Sequence, residues 1–124
     1  MSDKFWYCKI CGNVVVYAAE HTDALVCCGE DMTLLEAGTV DAAKEKHVPE
    51  VKREGNTLEI KIGSEPHPML AAHYIEFVAV IQEGLTQIQT LKPEEEPKAR
   101  FNVNDGPARV YEFCNLHGLW VIEA

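Results

Sequence analysis

Positive charge is what this chain has least of. Its 124 residues carry 20 Asp and Glu against 11 Lys and Arg, a formal net charge of −9 at pH 7, with a pI near 4.9. A phosphate backbone calls for clustered Lys and Arg, so this balance argues against a nucleic-acid binder. Long apolar runs are missing as well, and none approaches the roughly 18 residues that span a bilayer. The opening Met1-Ser2-Asp3-Lys4 lacks the basic segment and apolar core of a secretory signal. The expectation is a cytoplasmic chain with no membrane attachment. An even cysteine count is lacking too. Five cysteines leave one over from any set of internal disulfides, and clustered cysteines in a reducing compartment are more often metal ligands.

What is present suits one ordinary domain, or a small domain beside a metal-stapled miniature one: 47% of the residues are hydrophobic. Four cysteines fall within residues 8–28. Phe5-Trp6-Tyr7 is strand-like and leads into Cys8-Lys9-Ile10-Cys11-Gly12, a knuckle in which two thiolates can grip one ion. Gly12 there permits the positive φ that aims backbone N–H groups at sulfur. Val14-Val15-Val16-Tyr17 reads as a strand. After a polar turn, Leu25-Val26 leads into Cys27-Cys28-Gly29, which closes a four-sulfur site for zinc or iron. The second pair is adjacent, so its side chains must converge from opposite directions and pull the tetrahedron out of shape. So short a segment cannot bury enough apolar surface to fold unaided, and the metal is needed for folding. His21 is a solvated loop residue, because four thiolates already fill the shell.

Glu36-Ala37-Gly38-Thr39-Val40-Asp41 marks a boundary. Ala42 to Val48 is a helix-prone patch stopped by Pro49. Beyond it the pattern is β throughout. Leu58, Ile60 and Ile62 alternate with Glu59 and Lys61 after a Glu54-Gly55-Asn56 hairpin turn. Tyr74 to Ile81 is nearly continuous and apolar, as in a strand buried on both faces. Leu85 to Leu91, Ala99 to Val103, Arg109 to Phe113 and Trp120 to Ile122 follow, with an acidic loop at Lys92 to Pro97. About seven short strands suggest an immunoglobulin-like sandwich.

Four histidines fall in loops or at strand ends, where a sandwich presents its functional groups. His47 precedes Pro49, His67 lies between two prolines, His73 opens the longest strand, and His117 follows Cys114 by three residues. Any one alone would be an ordinary surface residue. With Cys114 they make five donors, an N₄S set unusual for zinc that leaves an octahedral metal one open position. That set suggests redox iron. By composition Glu45 and Lys46 are a solvated charged turn; the functional reading sets them over the metal that His47 binds.

The N-terminal cysteine pattern, with Glu30-Asp31-Met32 after it, closely resembles desulforedoxin, a small Fe(Cys)₄ electron carrier. His47-Val48-Pro49, His67-Pro68-Met69, His73-Tyr74-Ile75, Cys114-Asn115-Leu116-His117-Gly118 and the pair Glu45-Lys46 resemble the second-iron motifs of desulfoferrodoxin, the two-iron class of superoxide reductase. A departure is Leu70-Ala71-Ala72, where the family commonly has charged residues.

The resemblance implies a desulforedoxin- or rubredoxin-like domain at 1–37, with iron on Cys8, Cys11, Cys27 and Cys28. It implies a superoxide reductase sandwich at 38–124, with a second iron on His47, His67, His73 and His117 in one plane and Cys114 on the axis. It also implies a homodimer, a rubredoxin-like electron donor and one-electron reduction of superoxide to hydrogen peroxide. Lys46 would attract the anion and order a proton-delivering water, and Glu45 would ligate or shield ferric iron. The main alternative is a two-iron electron carrier without catalytic turnover. Lys46→Ala should keep both irons, slow the encounter with superoxide and weaken its ionic-strength dependence. An unchanged rate in pulse radiolysis would remove Lys46 from the mechanism.

Overall fold

The computed structural model describes residues 3–22, 24–38, 47–63 and 67–124. It divides into two compact units, Met1–Glu36 and Ala37–Ala124. Among the described residues, no helix is long and apolar enough to cross a membrane.

In the first unit, β1 (Phe5–Tyr7) lies between β2 (Val14–Val16) and β5 (Thr33–Leu34), antiparallel to both. A two-stranded ribbon joins β3 (Val26–Cys27) to β4 (Glu30–Asp31). Strands of two or three residues are too short to hold by their ladders alone. The buried hydrophobic residues here are Phe5, Cys8 and Met32, far less apolar surface than a free-standing domain needs. The cysteine knuckle supplies a further tie: the Gly12 N–H donates to the Cys8 carbonyl at 2.9 Å, with Gly12 at φ +82°. The Cys8 N–H donates to the Asn13 carbonyl, also at 2.9 Å.

The second unit is an immunoglobulin-like sandwich, with seven antiparallel strands among the described residues, as the spacing of its short apolar runs suggests. One sheet has the order β10-β7-β6, from Lys98–Asn102, Thr57–Ile62 and Pro49–Glu54. The other has the order β12-β11-β8-β9, from Gly118–Glu123, Arg109–Cys114, Ile75–Gln82 and Leu85–Thr90. Alternation in β7 places Leu58, Ile60 and Ile62 inside, against Val78, Val80 and Val110 of the facing sheet. Strand β8 is buried on both faces over nearly all its length. Each fully buried aliphatic side chain here contributes about 1.5–3 kcal/mol.

This antiparallel order brings the start of β6, the end of β7, the start of β8, the end of β11 and the start of β12 to one end of the sandwich. Leu58→Ala should therefore cost about 2–5 kcal/mol in denaturant unfolding of the sandwich. The exposed neighbour Lys61, as Lys61→Ala, should stay within about 0.5 kcal/mol. Equal losses for the two would contradict the facing assigned to β7.

Candidate metal centres

The four N-terminal cysteines converge, and one sulfur from each lies within 4.8 Å of the others. None forms a disulfide. Cys11 Sγ is 3.6 Å from Cys27 Sγ, and Cys27 Sγ is 3.9 Å from Cys28 Sγ. A tetrahedral ion about 2.3 Å from each of four sulfurs would set them about 3.8 Å apart. The two edges match that figure. At the adjacent pair the backbone is strained as well: Cys28 takes a left-handed φ of +54°, a conformation costly for any residue with a Cβ. The turn lets both sulfurs reach one point.

Four thiols at this distance cannot all ionise without a cation. Backbone N–H groups, that of Cys11 first, bring Cys8 down to about 6 against the opposing effect of burial. Hydrogen bonds to neighbouring sulfurs, Cys11 first, push Cys28 up to about 12; such bonds to Cys8 first, and then Cys11, raise Cys27. Asn13 Nδ2 donates to Cys27 Sγ at 3.7 Å, a contact suited to a thiolate. His21 is exposed and takes no part in the cluster.

At the end of the sandwich, His47, His67, His73, Cys114 and His117 also bring one donor atom each to within 4.8 Å of the rest. The rings follow one another around a square. Centroids of His47 and His67 lie 4.6 Å apart, His67 and His73 4.8 Å, His73 and His117 4.9 Å, and His117 and His47 4.7 Å. Each neighbouring pair is nearly perpendicular, between 79° and 87°. Across the diagonal, His47 and His73 are 6.5 Å apart and nearly parallel, at 25°. Four rings arranged like the blades of a propeller thus point inward.

The inward atoms fit a cation. His47 Nε2 is 3.1 Å from His67 Nε2 and 3.0 Å from His117 Nδ1. Two nitrogens at right angles, each about 2.1 Å from a shared ion, lie about 3.0 Å apart. The tautomer agrees for His67: its Nδ1 donates to the Pro68 carbonyl at 2.7 Å, which leaves Nε2 as a bare lone pair facing the centre. Burial is the main reason that the His67 ring falls to about 4, so it stays neutral and able to ligate. Cys114 is fully buried, with Sγ 3.9 Å from His117 Nδ1. Burial pushes its thiol up, while the N–H groups of Leu116 and His117 pull it down.

Local folding explains the convergence. Cys114 pairs with Gly118 across a three-residue hairpin loop, and Gly118 takes φ +79°, the left-handed position such loops require. His117 is thereby turned back over Cys114. His73 stands two residues before β8 rather than at its opening. It closes a tight turn with Leu70, each N–H donating to the other's carbonyl at 2.9–3.0 Å. Glu45 and Lys46, with residues 42–44 of the helix-prone patch, lie outside the described residues.

Three residues around the centre were not singled out from the sequence. Trp120 stacks on His47 at 5.2 Å and donates Nε1–H to the His117 carbonyl at 3.1 Å. Glu112 is wholly buried, with no hydrogen-bond partner for either carboxylate oxygen among the described residues, and burial pushes its pKa well above the ordinary range. An acid within the apolar run of β11 was a visible signal. Asn115, inside the Cys114–His117 stretch, bonds to the His73 segment.

Two family models match the chain: that described as "Desulfoferrodoxin" over residues 39–123, and "Desulfoferrodoxin, N-terminal domain" over residues 2–35. A desulfoferrodoxin homolog of Archaeoglobus fulgidus is 47% identical over 113 residues, 91% of this chain and 90% of the relative. A desulfoferrodoxin of Syntrophotalea carbinolica is 45% identical over 116 residues, 94% of this chain and 92% of the relative. The crystal structure of the superoxide reductase from Treponema pallidum superposes with a TM-score of 0.79 at 32% identity, covering 98% of this chain and 99% of that one.

The acid response of the metal-free protein tests the His67 environment. The unfolded ring takes up its proton near pH 6.5 and the folded ring only near 4. Stability contributed by the neutral ring is therefore present above pH 6.5 and is lost as pH falls toward 4. His67→Gln should flatten the fall in stability over that window. An unchanged slope would contradict the assigned burial of a neutral ring.

Proposed function

The chain belongs to the desulfoferrodoxin family, and on that premise we propose that it reduces superoxide to hydrogen peroxide at the histidine–cysteine centre. The two donor sets, Cys₄ and His₄Cys, match the two iron sites of the family. The observation that carries the reading is the square of four imidazoles with one thiolate. Those are five donors, one fewer than an octahedral ion takes, and the sixth position is the one we assign to substrate. A two-iron electron carrier would be better served by a closed shell.

Ferrous iron, when bound, supplies one electron to superoxide, which takes up two protons and leaves as hydrogen peroxide. Every other part of the task belongs to the chain. His47, His67, His73 and His117 hold the ion as neutral donors, and Cys114 supplies the negative charge that offsets part of it. Trp120 braces the His47 ring and fixes the His117 carbonyl. The Pro68 carbonyl holds the His67 tautomer. Lys46 attracts the anion in this otherwise acidic protein and orders a water that delivers a proton. Glu45 shields or ligates the oxidised ion after product leaves.

Cys8, Cys11, Cys27 and Cys28 hold the other iron, in a unit assigned to residues 1–37; the sandwich of residues 38–124 carries the reaction. A rubredoxin-like donor resets the centre, and the sulfur site is a candidate relay for that electron. The chain acts as a homodimer in the cytoplasm, a reducing compartment in keeping with five free cysteines.

Product stoichiometry tests the reaction. With an excess of electron donor, each superoxide consumed should yield one hydrogen peroxide and no oxygen. Oxygen evolved in step with superoxide decay would mean dismutation. His117→Ala and Cys114→Ser should abolish the colour of the second iron and this turnover while the sulfur site keeps its spectrum. Full activity in either variant would contradict the assigned centre.

A further inference from the structure

We infer that Asn115 is a positioning residue that locks the His73 segment to the hairpin carrying Cys114 and His117. The inference rests on the reading that these residues share one metal ion, and it concerns how the site keeps its shape.

Strands β8 and β11 pair regularly from Arg109↔Ile81 to Phe113↔Phe77, and then the register shifts, so that Cys114 pairs with Ile75. Past that point the main chain of β11 must leave the sheet, because residues 115–117 form the loop that turns His117 over Cys114. A regular ladder would have ended there, with the N–H of Tyr74 left facing a strand that has departed.

The Asn115 side chain takes the place of the missing main chain. Its Oδ1 accepts from the Tyr74 N–H at 2.9 Å. Its Nδ2 donates to the Ala72 carbonyl at 3.0 Å. Its own N–H donates to the Tyr74 carbonyl at 3.2 Å. One residue therefore holds the backbone immediately before and immediately after His73. A primary amide is suited to the task, since it presents an acceptor and a donor side by side.

The His73 segment is also held by the tight turn between Leu70 and His73, by the Ile75 N–H donating to Met69 Sδ at 3.4 Å and by the Glu94 N–H donating to the Met69 carbonyl at 2.7 Å. None of these three reaches the hairpin. The Asn115 bonds do. Asn115 itself is only half-buried and is not among the converging donors, so its effect on the metal passes through His73. Supporting residues of this kind commonly change metal affinity by about 10–100-fold.

The test uses the full chain loaded with cobalt(II), whose thiolate charge-transfer band reports Cys114 ligation, in competition with a chelator. Asn115→Ala should weaken cobalt at the histidine–cysteine centre about 10–100-fold and leave the four-sulfur site unchanged. Asn115→Asp keeps the acceptor for Tyr74 and loses the donor for Ala72, so its affinity should fall between parent and Asn115→Ala. The decisive comparison is made in a His73→Ala background. There Asn115→Ala should cost less than about twofold, because the ligand it positions is gone.

A parent-like affinity for Asn115→Ala would overturn the inference. So would an equal loss in both backgrounds, which would mark Asn115 as a general stabiliser of the fold. If Asn115→Ala fails to fold, Asn115→Asp carries the same comparison, and parent-like binding there would be equally fatal. Failure of the five-donor reading itself would look different: cobalt binding in the parent would then be indifferent to both Cys114→Ser and His73→Ala.

Discussion

Five lone pairs facing one another across less than 5 Å are the constraint on which this molecule's organisation depends. Ring nitrogens 3.0 and 3.1 Å from His47 Nε2 crowd lone pairs together, because His67 has already spent its proton on Pro68 and the His47 nitrogen can offer at most one. A shared cation resolves the conflict. It also draws the proton from Cys114, whose burial otherwise opposes ionisation. The same logic governs the sulfur site, where hydrogen bonds to neighbouring sulfurs keep the protons on Cys27 and Cys28. The two centres differ in what they leave open. Four sulfurs complete a tetrahedron, whereas four imidazoles and one thiolate leave an octahedron one position short.

The sandwich earns its place by holding those donors still. Its antiparallel order gathers five segment ends at one edge, over a buried and mainly aliphatic core. Cys114 and Glu112 point from β11 into that interior, while the half-buried His73 and His117 sit nearer solvent. An ion held there would have the buried Cys114 on the core side. The polar ties around it, through Pro68 and Asn115 in loops and Trp120 in β12, all fix ligand-bearing backbone or rings.

Much of this was legible in the sequence because the chemistry lies in rare residue types. Cys8-x-x-Cys11-Gly12 and Cys27-Cys28-Gly29 are local patterns, and four of the five histidines had no other evident task. The strand pattern from Leu58 to Trp120 was equally plain, since alternation and burial on both faces of β8 follow from side-chain period. What could not be read was the cyclic order of the rings, which arises from segments far apart in the chain. Nor could the left-handed turn at Cys28, which lies in the adjacent pair. Asn115 was overlooked because its contacts replace a ladder that ends only after a register shift, something no spacing rule conveys. Glu45 and Lys46 lie outside the described residues, and their roles stay proposals.

The central claim is that one iron ion sits within the square of His47, His67, His73 and His117 with Cys114 behind it. An anomalous difference map recorded above and below the iron absorption edge, from crystals of the iron-loaded chain, tests this most directly. Two iron peaks per chain are predicted: one among the four sulfurs, and one within bonding distance of all four imidazoles and Cys114, with the side opposite the thiolate free of any protein histidine or cysteine. A histidine site that is occupied by zinc, or that lacks Cys114 as a ligand, would contradict the account.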